Sequence, residues 1–234
     1  MNSRSFEKEI LDLGPAHYTI DEYNDCMVKL DRIGKWLGGD EATFSALENM
    51  DQTPQSILDV GCGGGLFTIR MAKKYPKARV VGMDINRQAI AFAKQQLATM
   101  KNPPNNVVFE WRQEGNLNEP NKSYDVVMST LVCHHLDDRQ IVEFLSKARQ
   151  VAKQKVIIND LHRHPVALGL FKIVSPLFFR NRLVLADGQL SIRRAFIRHE
   201  WEDYIKQMNS EPFKYSISWH WAFRWLVELD CRGN

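Results

Sequence analysis

Leu58-Asp59-Val60-Gly61-Cys62-Gly63-Gly64-Gly65 is the stretch that decides how this chain folds. It follows the short apolar run at 56–60 and opens the amphipathic run at 66–74, which ends at Tyr75-Pro76. A buried strand, a glycine turn and a helix in succession leave bare amides at a helix N-terminus, where a ligand can lie against the main chain. The spacing narrows the class of ligand. A dinucleotide turn wants G-x-G-x-x-G, which puts its third glycine at position 66, here Leu66. The glycines fall instead at 61, 63 and 65, with the acid Asp59 two residues ahead of the first.

Outward from this turn the pattern alternates. Residues 79–83 read as a strand and 88–100 as a helix with Ala89, Ile90, Ala93 and Leu97 on one face. Strands follow at 107–111 and 124–128, then a helix at 138–152 and a strand at 155–158. Alternating βαβ units predict a parallel sheet with helices on both faces, and right-handed crossovers put the ligand at the carboxyl ends of the strands. Asp84 ends the second strand, where a carboxylate can accept both hydroxyls of a ribose, and Ile85 beside it can pack on a base. The plainer role for Asp84 is a helix N-cap.

Before this region, residues 6–50 read as two or three short helices. Tyr23, Met27, Leu30, Ile33 and Leu37 fall at helical spacing, and Gly38-Gly39 stops the run. After Asn159 the alternation stops. Residues 161–195 are rich in large apolar and basic side chains, a helix follows at 200–208, and 213–218 with 223–229 form a closing hairpin.

The 234 residues suit one domain, or one domain with a small lid. With 44% hydrophobic and 25% charged residues the chain can build a core. A net charge of +3 permits an anionic ligand without demanding nucleic acid. Four cysteines without a CxxC pair argue against a disulfide framework or a zinc site, and for a reducing cytoplasm. The apolar run 166–179 is broken by Lys172 and Pro176 and is too short for a transmembrane span; the N-terminus does not read as a signal peptide.

The turn at 58–65 resembles motif I of class I S-adenosylmethionine-dependent methyltransferases. Residues 122–129 and Leu131-Val132-Cys133-His134-His135-Leu136 are similar to that family's fourth strand and following loop, so the resemblance runs over about 56–160. It implies a Rossmann-like α/β fold: a mostly parallel seven-stranded sheet, helices on both faces, and an antiparallel last strand. It implies S-adenosylmethionine as cofactor, with Asp59, Gly61, Gly63, Gly65, Asp84, Ile85, Glu114, Gly115 and Thr130 as its binding residues. One departure falls at Gln113-Glu114-Gly115-Asn116, where the family has Gly-Asp-Ala; Glu114, Gln113, Asn116 or a backbone amide is left to meet the adenine. The domain division that follows is an N-terminal helical cap at 1–50 and a methyltransferase domain at 51–234 with a helical lid insertion at about 161–195.

Segments 30–39, 159–163 and 187–196 resemble a narrower group, bacterial methyltransferases found in polyketide gene neighbourhoods. The expected reaction is methyl transfer to a small-molecule acceptor, with an oxygen of a phenolic or polyketide-like compound first in line. A phenol of pKa about 10 wants a proton acceptor nearby at neutral pH. His135, Asp160 and His162 are the catalytic candidates, with His134 beside them, and each has a structural rival: orienting the loop, capping a helix, or standing in solvent. Residues 161–200 carry seven Lys and Arg side chains against Asp187 and Glu200, so the lid is expected to cover an apolar and possibly anionic substrate, or to be a solvated face. Asn102-Pro103-Pro104 only mimics the loop of base-methylating enzymes, since it ends a helix instead of following the fourth strand. Nucleic acid is therefore disfavoured as partner. A metal at His134-His135 is not expected, because neighbouring side chains diverge and no third ligand is evident. An RNA methyltransferase, a non-catalytic cofactor-binding partner protein and a nicotinamide oxidoreductase are the competing readings.

Overall fold

In the computed structural model, which describes residues 1, 3–208 and 211–232, the alternation seen in the sequence becomes one seven-stranded sheet. The strands are β1 (Ser56–Val60), β2 (Arg79–Asp84), β3 (Val107–Trp111), β4 (Tyr124–Thr130), β5 (Ala152–Leu161), β6 (Tyr215–His220) and β7 (Arg224–Asp230). Their order is β3-β2-β1-β4-β5-β7-β6, and only β7 runs against the rest. The chain leaves β1 in one direction for β2 and β3, then returns to β4 on the other side. That reversal opens a crevice at the carboxyl ends of β1 and β4, the place where open α/β sheets bind ligands.

Alternate strand residues feed two cores, as a two-residue period requires. Leu58, Val81, Val127, Val156 and Ile158 face one side, with Ile141, Leu145 and Ala148 of α5 (Asp138–Val151) and Trp201 of α8 (Arg198–Gln207). Ile57, Val80, Val126, Met128 and Ile157 face the other, against α2 (Gly39–Glu48), α3 (Leu66–Lys74) and α4 (Arg87–Ala98). Each large side chain so buried contributes about 1.5–3 kcal/mol before entropy is charged against it. Helix starts follow local chemistry: Asp137 and Gln140 form a reciprocal capping box at α5, as Thr19 and Glu22 do at α1 (Ile20–Trp36).

Two readings change, and the helical lid expected after β5 appears as two helices. The N-terminal region holds one 17-residue helix, α1, and the shorter α2, preceded by two 3-10 turns at Leu11–Leu13 and Pro15–His17. Strand β5 extends to Leu161, because pairing with β7 continues through Asn159, Asp160 and Leu161. Asp160 is therefore a buried strand residue and caps no helix. The stretch after β5 is two helices, α6 (Pro165–Phe178) and α7 (Arg182–Arg194), packed as a hairpin.

The N-terminal segment is tied down by polar bonds that span most of the chain. Arg4 donates to the carbonyls of Arg194 (2.9 Å) and Leu136 (3.0 Å), and the N–H groups of Ile10 and Leu11 donate to Asp187. Asn159 Nδ2 donates to the Gly39 carbonyl (2.7 Å) and Thr43 Oγ1 (3.0 Å), which fixes α2 to the sheet.

Candidate active site

The glycine turn is held from beneath and left open above. The N–H groups of Gly61 and Cys62 both donate to the Met83 carbonyl, at 2.8 and 3.0 Å, which stitches the turn to β2. Gly61 and Gly65 have φ of 73° and 69°, in the left-handed region that side chains resist. A Cβ on Gly65 would stand 2.6 Å from Ala93 and Phe109, and one on Gly61 would stand 2.4 Å from Val132. At Gly63 the nearest atom is Met27 Sδ at 4.0 Å, so the amide face of the turn keeps its clearance there.

Asp59 is fully buried under the turn and accepts a hydrogen bond from Thr68 Oγ1 at 2.6 Å. Burial pushes its carboxyl up to about 7, with Asp84 adding to the rise and the Thr68 hydroxyl opposing it. It joins β1 to the first turn of α3. Asp84 sits at the rim of the crevice. Its Oδ2 accepts from Gly63 N–H (2.8 Å) and its Oδ1 from Asn86 N–H (2.8 Å). Each oxygen retains a lone pair for a further donor. Burial raises the Asp84 carboxyl, against the pull of those N–H groups and of His135.

Ile85 is exposed beside Asp84, and a Cβ on Gly115 would lie 3.8 Å from it, so the two frame a slot beyond the carboxylate. Glu114 is exposed and accepts from Asn116 Nδ2 at 3.3 Å. Thr130 ends β4 alongside Gly61, and its buried Oγ1 has no partner. The buried Tyr18 hydroxyl and Gln88 Nε2 are also unpartnered. Tyr18 stacks on Tyr23, whose pKa is in turn raised chiefly by burial and then by Asp84; Gln88 lies in the first turn after that carboxylate. Buried polar groups without partners are rare. Three of them around one crevice fit a polar cofactor such as a nucleoside joined to an amino acid.

A cavity of about 490 Å³ lies at the ends of β4 and β5. Leu131, Leu161 and His162 form its floor, α6 and α7 roof it, and Cys26, Leu30 and Ile33 of α1 close one side. Its lining is mostly apolar, and its polar end is made by Glu9, His134, His135, Asp187 and Ser191. The cavity adjoins the first crevice along α1, where Met27 lies against Gly63 and Gly64 while Cys26 and Leu30 line the cavity.

The histidines divide by their partners. His134 Nδ1 is 2.7 Å from Asp160 Oδ1, and burial of Asp160 is outweighed by this contact, so its carboxyl is held low. His135 Nδ1 is 2.8 Å from Asp12 Oδ1. Burial opposes ionisation of Asp12, but His135 and Arg194 bring it down to about 2. A carboxylate at Nδ1 puts the proton there and leaves Nε2 as a lone pair in both rings. His162 differs. It is only partly exposed, contrary to the solvated alternative, and its Nδ1 accepts from Trp219 Nε1 at 3.3 Å, which leaves the proton on Nε2. Burial, with His164 and Arg163, lowers its pKa.

Two sequence readings need correction. The basic residues of 161–200 largely brace the protein: Arg163 pairs with Glu200 (2.8 Å), Arg182 with Glu22 (2.7 Å), Arg194 with Asp12 (2.9 Å) and Arg198 with Glu202 (2.8 Å). The rings of His134 and His135 do not diverge, because they sit in a 3-10 turn (Cys133–His135) with centroids 4.3 Å apart. Glu9 and Asp12, which the sequence reading passed over, complete their surroundings. Their segment is irregular, so no periodicity marked them.

Residues 57–155 match the family described as a methyltransferase domain. That match spans the glycine turn and Asp84, the stretch whose sequence resembles S-adenosylmethionine-dependent methyltransferases. Over 129 residues it is 32% identical to phosphoethanolamine N-methyltransferase 1 of Arabidopsis thaliana, a match that covers 55% of this chain and 26% of that protein. Over 144 residues it is 30% identical to a ubiquinone biosynthesis O-methyltransferase of Mesorhizobium japonicum, covering 60% of this chain and 52% of that one. These matches thus span from about a quarter to half of the relatives' lengths. The fold is shared with the plantazolicin methyltransferase BpumL, crystallised with a triazolic desmethylPZN analog and SAH. That likeness has a TM-score of 0.70 at 18% identity and covers 94% of this chain and 93% of that one.

Proposed function

We propose that this chain transfers a methyl group from S-adenosylmethionine to a small, largely apolar acceptor held in the 490 Å³ cavity, and that the accepting atom is an oxygen. The observation that carries the reading is the apolar cavity at the ends of β4 and β5, which adjoins the glycine turn through α1: Met27 lies against Gly63 and Gly64 while Cys26 and Leu30 line the cavity. Bound in that crevice, S-adenosylmethionine supplies an electrophilic sulfonium methyl: the carbon–sulfur bond breaks as the oxygen–carbon bond forms, and the thioether leaves.

The residues divide the work. The amides of the 61–65 turn hold the amino-acid end, Asp84 takes the ribose hydroxyls, and Ile85 with Gly115 covers the adenine, whose amino group meets Glu114, Gln113 or Asn116. Thr130 Oγ1 and the other unpartnered polar atoms find their bonds in the same ligand. His135 takes the proton of the acceptor hydroxyl at its free Nε2, while Asp160 positions His134 and His162 donates from the cavity floor. Residues 1–50 act as cap and α6–α7 as lid on the domain from 51 onward, excluding water from the reacting pair. No helix among the described residues is long and apolar enough to cross a membrane, and the four cysteines are free, which supports a cytoplasmic location. An RNA substrate loses its support, since four of the basic side chains it would use are paired with carboxylates.

Calorimetry tests the cofactor half. S-adenosylhomocysteine is expected to bind in the micromolar range, about −8 kcal/mol, and NAD not at all. Asp84→Ala removes one or two charge-assisted hydrogen bonds and is expected to weaken binding at least tenfold with the circular dichroism spectrum intact. NAD binding in place of S-adenosylhomocysteine would overturn the reading, and unchanged affinity in Asp84→Ala would reduce Asp84 to a cap.

A further inference from the structure

At the polar end of the cavity, three potential ligand atoms converge from two distant parts of the chain. His134 Nε2 is 3.6 Å from Glu9 Oε1, and His135 Nε2 is 3.9 Å from Glu9 Oε2. One ligand atom from each of the three residues lies within 4.8 Å of the other two. The separations of 3.6 and 3.9 Å exceed a hydrogen bond. The edge of a tetrahedron with metal bonds of about 2.0–2.1 Å is about 3.3 Å, shorter than these separations and than the 4.8 Å within which the three atoms lie. The three donors must draw together by up to about 1.5 Å to share one ion.

The orientation is fixed from behind. Asp160 holds Nδ1 of His134 and Asp12 holds Nδ1 of His135, at 2.7 and 2.8 Å. A carboxylate on the far nitrogen sets the tautomer, aims Nε2 forward and raises its basicity, and metal-ligating histidines are held in this way. Either carboxylate alone has a structural explanation; both together, with the two free nitrogens facing a third acid, do not reduce to one.

Charge supplies an independent argument. Glu9 is buried, and among the described residues it has no Lys or Arg in ion-pair contact; Ser191 Oγ donates to its Oε1 at 2.8 Å. Asp187 is also buried beside it, with its oxygens taken by the N–H groups of Ile10 and Leu11. A buried carboxylate next to a second one either takes up a proton or is joined by a cation, and a metal ion would supply the cation. Arg194 does not fill that role, since its guanidinium goes to Asp12 and to the carbonyls of Glu7, His134 and His135.

We propose that Glu9, His134 and His135 form a binding site for a divalent transition-metal ion of the zinc class, with its open coordination position facing the cavity. Two imidazoles and one carboxylate suit such an ion and not calcium or magnesium, which prefer oxygen ligands. All three ligands border the cavity, so the vacant position is offered to whatever the cavity holds. This deepens the methyl-transfer reading, on which the ion's role rests. With the ion bound, His135 Nε2 is a ligand and the ion replaces it in activating the acceptor: it would take the acceptor's oxygen as a ligand and favour its anionic form, the proton leaving to solvent, which selects hydroxyl-bearing acceptors, phenols and enols among them. The site itself stands on the geometry alone.

The test uses the full chain after dialysis against a chelator. Titration with Zn2+ in a calorimeter is expected to show one equivalent bound with a Kd at or below the micromolar range. Co2+ is expected to give the intense visible absorption of a four- or five-coordinate ion, and that absorption is expected to change when catechol is added. Glu9→Gln, nearly the same shape, is expected to weaken binding at least a hundredfold. Asp12→Asn, which touches no metal, is expected to weaken it ten- to a hundredfold through His135. Absence of stoichiometric binding, or wild-type affinity in both variants, overturns the site. Should Glu9→Gln fail to fold, Asp12→Asn and the wild-type Co2+ spectrum decide it. S-adenosylhomocysteine binding is measured on the same sample. Cofactor binding without metal defeats this proposal alone; metal binding without cofactor defeats the methyl-transfer reading and leaves the site standing.

Discussion

Asp59→Asn offers a measurement in which the structure sets both sign and size. Asp59 is fully buried beneath the glycine turn, and burial pushes its carboxyl from 3.8 to about 7. The folded protein therefore keeps a proton on Asp59 at pH values where the unfolded chain has released it. Between about pH 4 and pH 7 the native state binds more protons, so stability from this group falls as pH rises and levels off above 7. At about 1.4 kcal/mol per pH unit, that interval amounts to on the order of 4 kcal/mol. Asparagine cannot ionise, and its Oδ1 can still accept from Thr68 Oγ1. The difference in unfolding free energy between variant and wild type should thus swing by about 4 kcal/mol in the variant's favour from pH 4 to pH 8. Any cost of its extra amide hydrogens is the same at every pH and shifts the curve without tilting it. Urea melts at pH 5, 6, 7 and 8 read this directly, and subtracting the two proteins cancels other carboxylates. Parallel curves would mean that Asp59 is ionised at ordinary pH and that the account of the turn's foundation is wrong.

Two glycine substitutions test the packing around the two compartments. In Gly188→Ala the new Cβ would start 2.4 Å from the ring of Phe171, which borders the cavity, so the ring must swing into it. A gain of up to about 1 kcal/mol in helix propensity partly offsets the strain. The expected result is a small change in Tm, S-adenosylhomocysteine affinity within twofold, and a severalfold rise in KM for the acceptor; unchanged KM with a large drop in Tm would contradict it. Gly65→Ala forces a side chain into a φ of 69° and against Ala93 and Phe109 at 2.6 Å. Left-handed strain and overpacking together are expected to cost about 2–5 kcal/mol in urea melts and to weaken cofactor binding as the turn shifts. Wild-type stability would show that the turn relaxes freely.

What could be read in advance was whatever depends on neighbours in sequence. The strand, turn and helix around Gly61–Gly65, the placement of Asp84 at a strand end and the closing hairpin all follow from local periodicity and turn chemistry. Strand order also brings β4 beside β5, which is why His134 and Asp160 meet. What was illegible depends on distance along the chain. Arg163 and Arg194 look like free basic residues until their carboxylates appear, 37 and 182 positions away. Glu9 and Asp12 lie in an irregular segment that no pattern singles out. The divergence expected of His134 and His135 holds for a strand, where neighbours point to opposite faces, and fails in a 3-10 turn, where the two rings lie together.

The polar ties of the N-terminal segment bear on how the molecule can be made. Arg4 ends on the carbonyl of Arg194, and α2 is fixed by Asn159, which is paired in turn with Leu226 of β7. A ribosome releases residues 1–50 before their anchors, every one of which is synthesised more than a hundred residues later. These residues are thus among the last of the described region to find their place, and contacts this remote in sequence are slow to close. Until they close, the aliphatic wall that α1 presents to the cavity has no opposite wall. The acceptor's chamber comes into being as a late event of folding, after the sheet that carries the cofactor crevice has nearly all been synthesised.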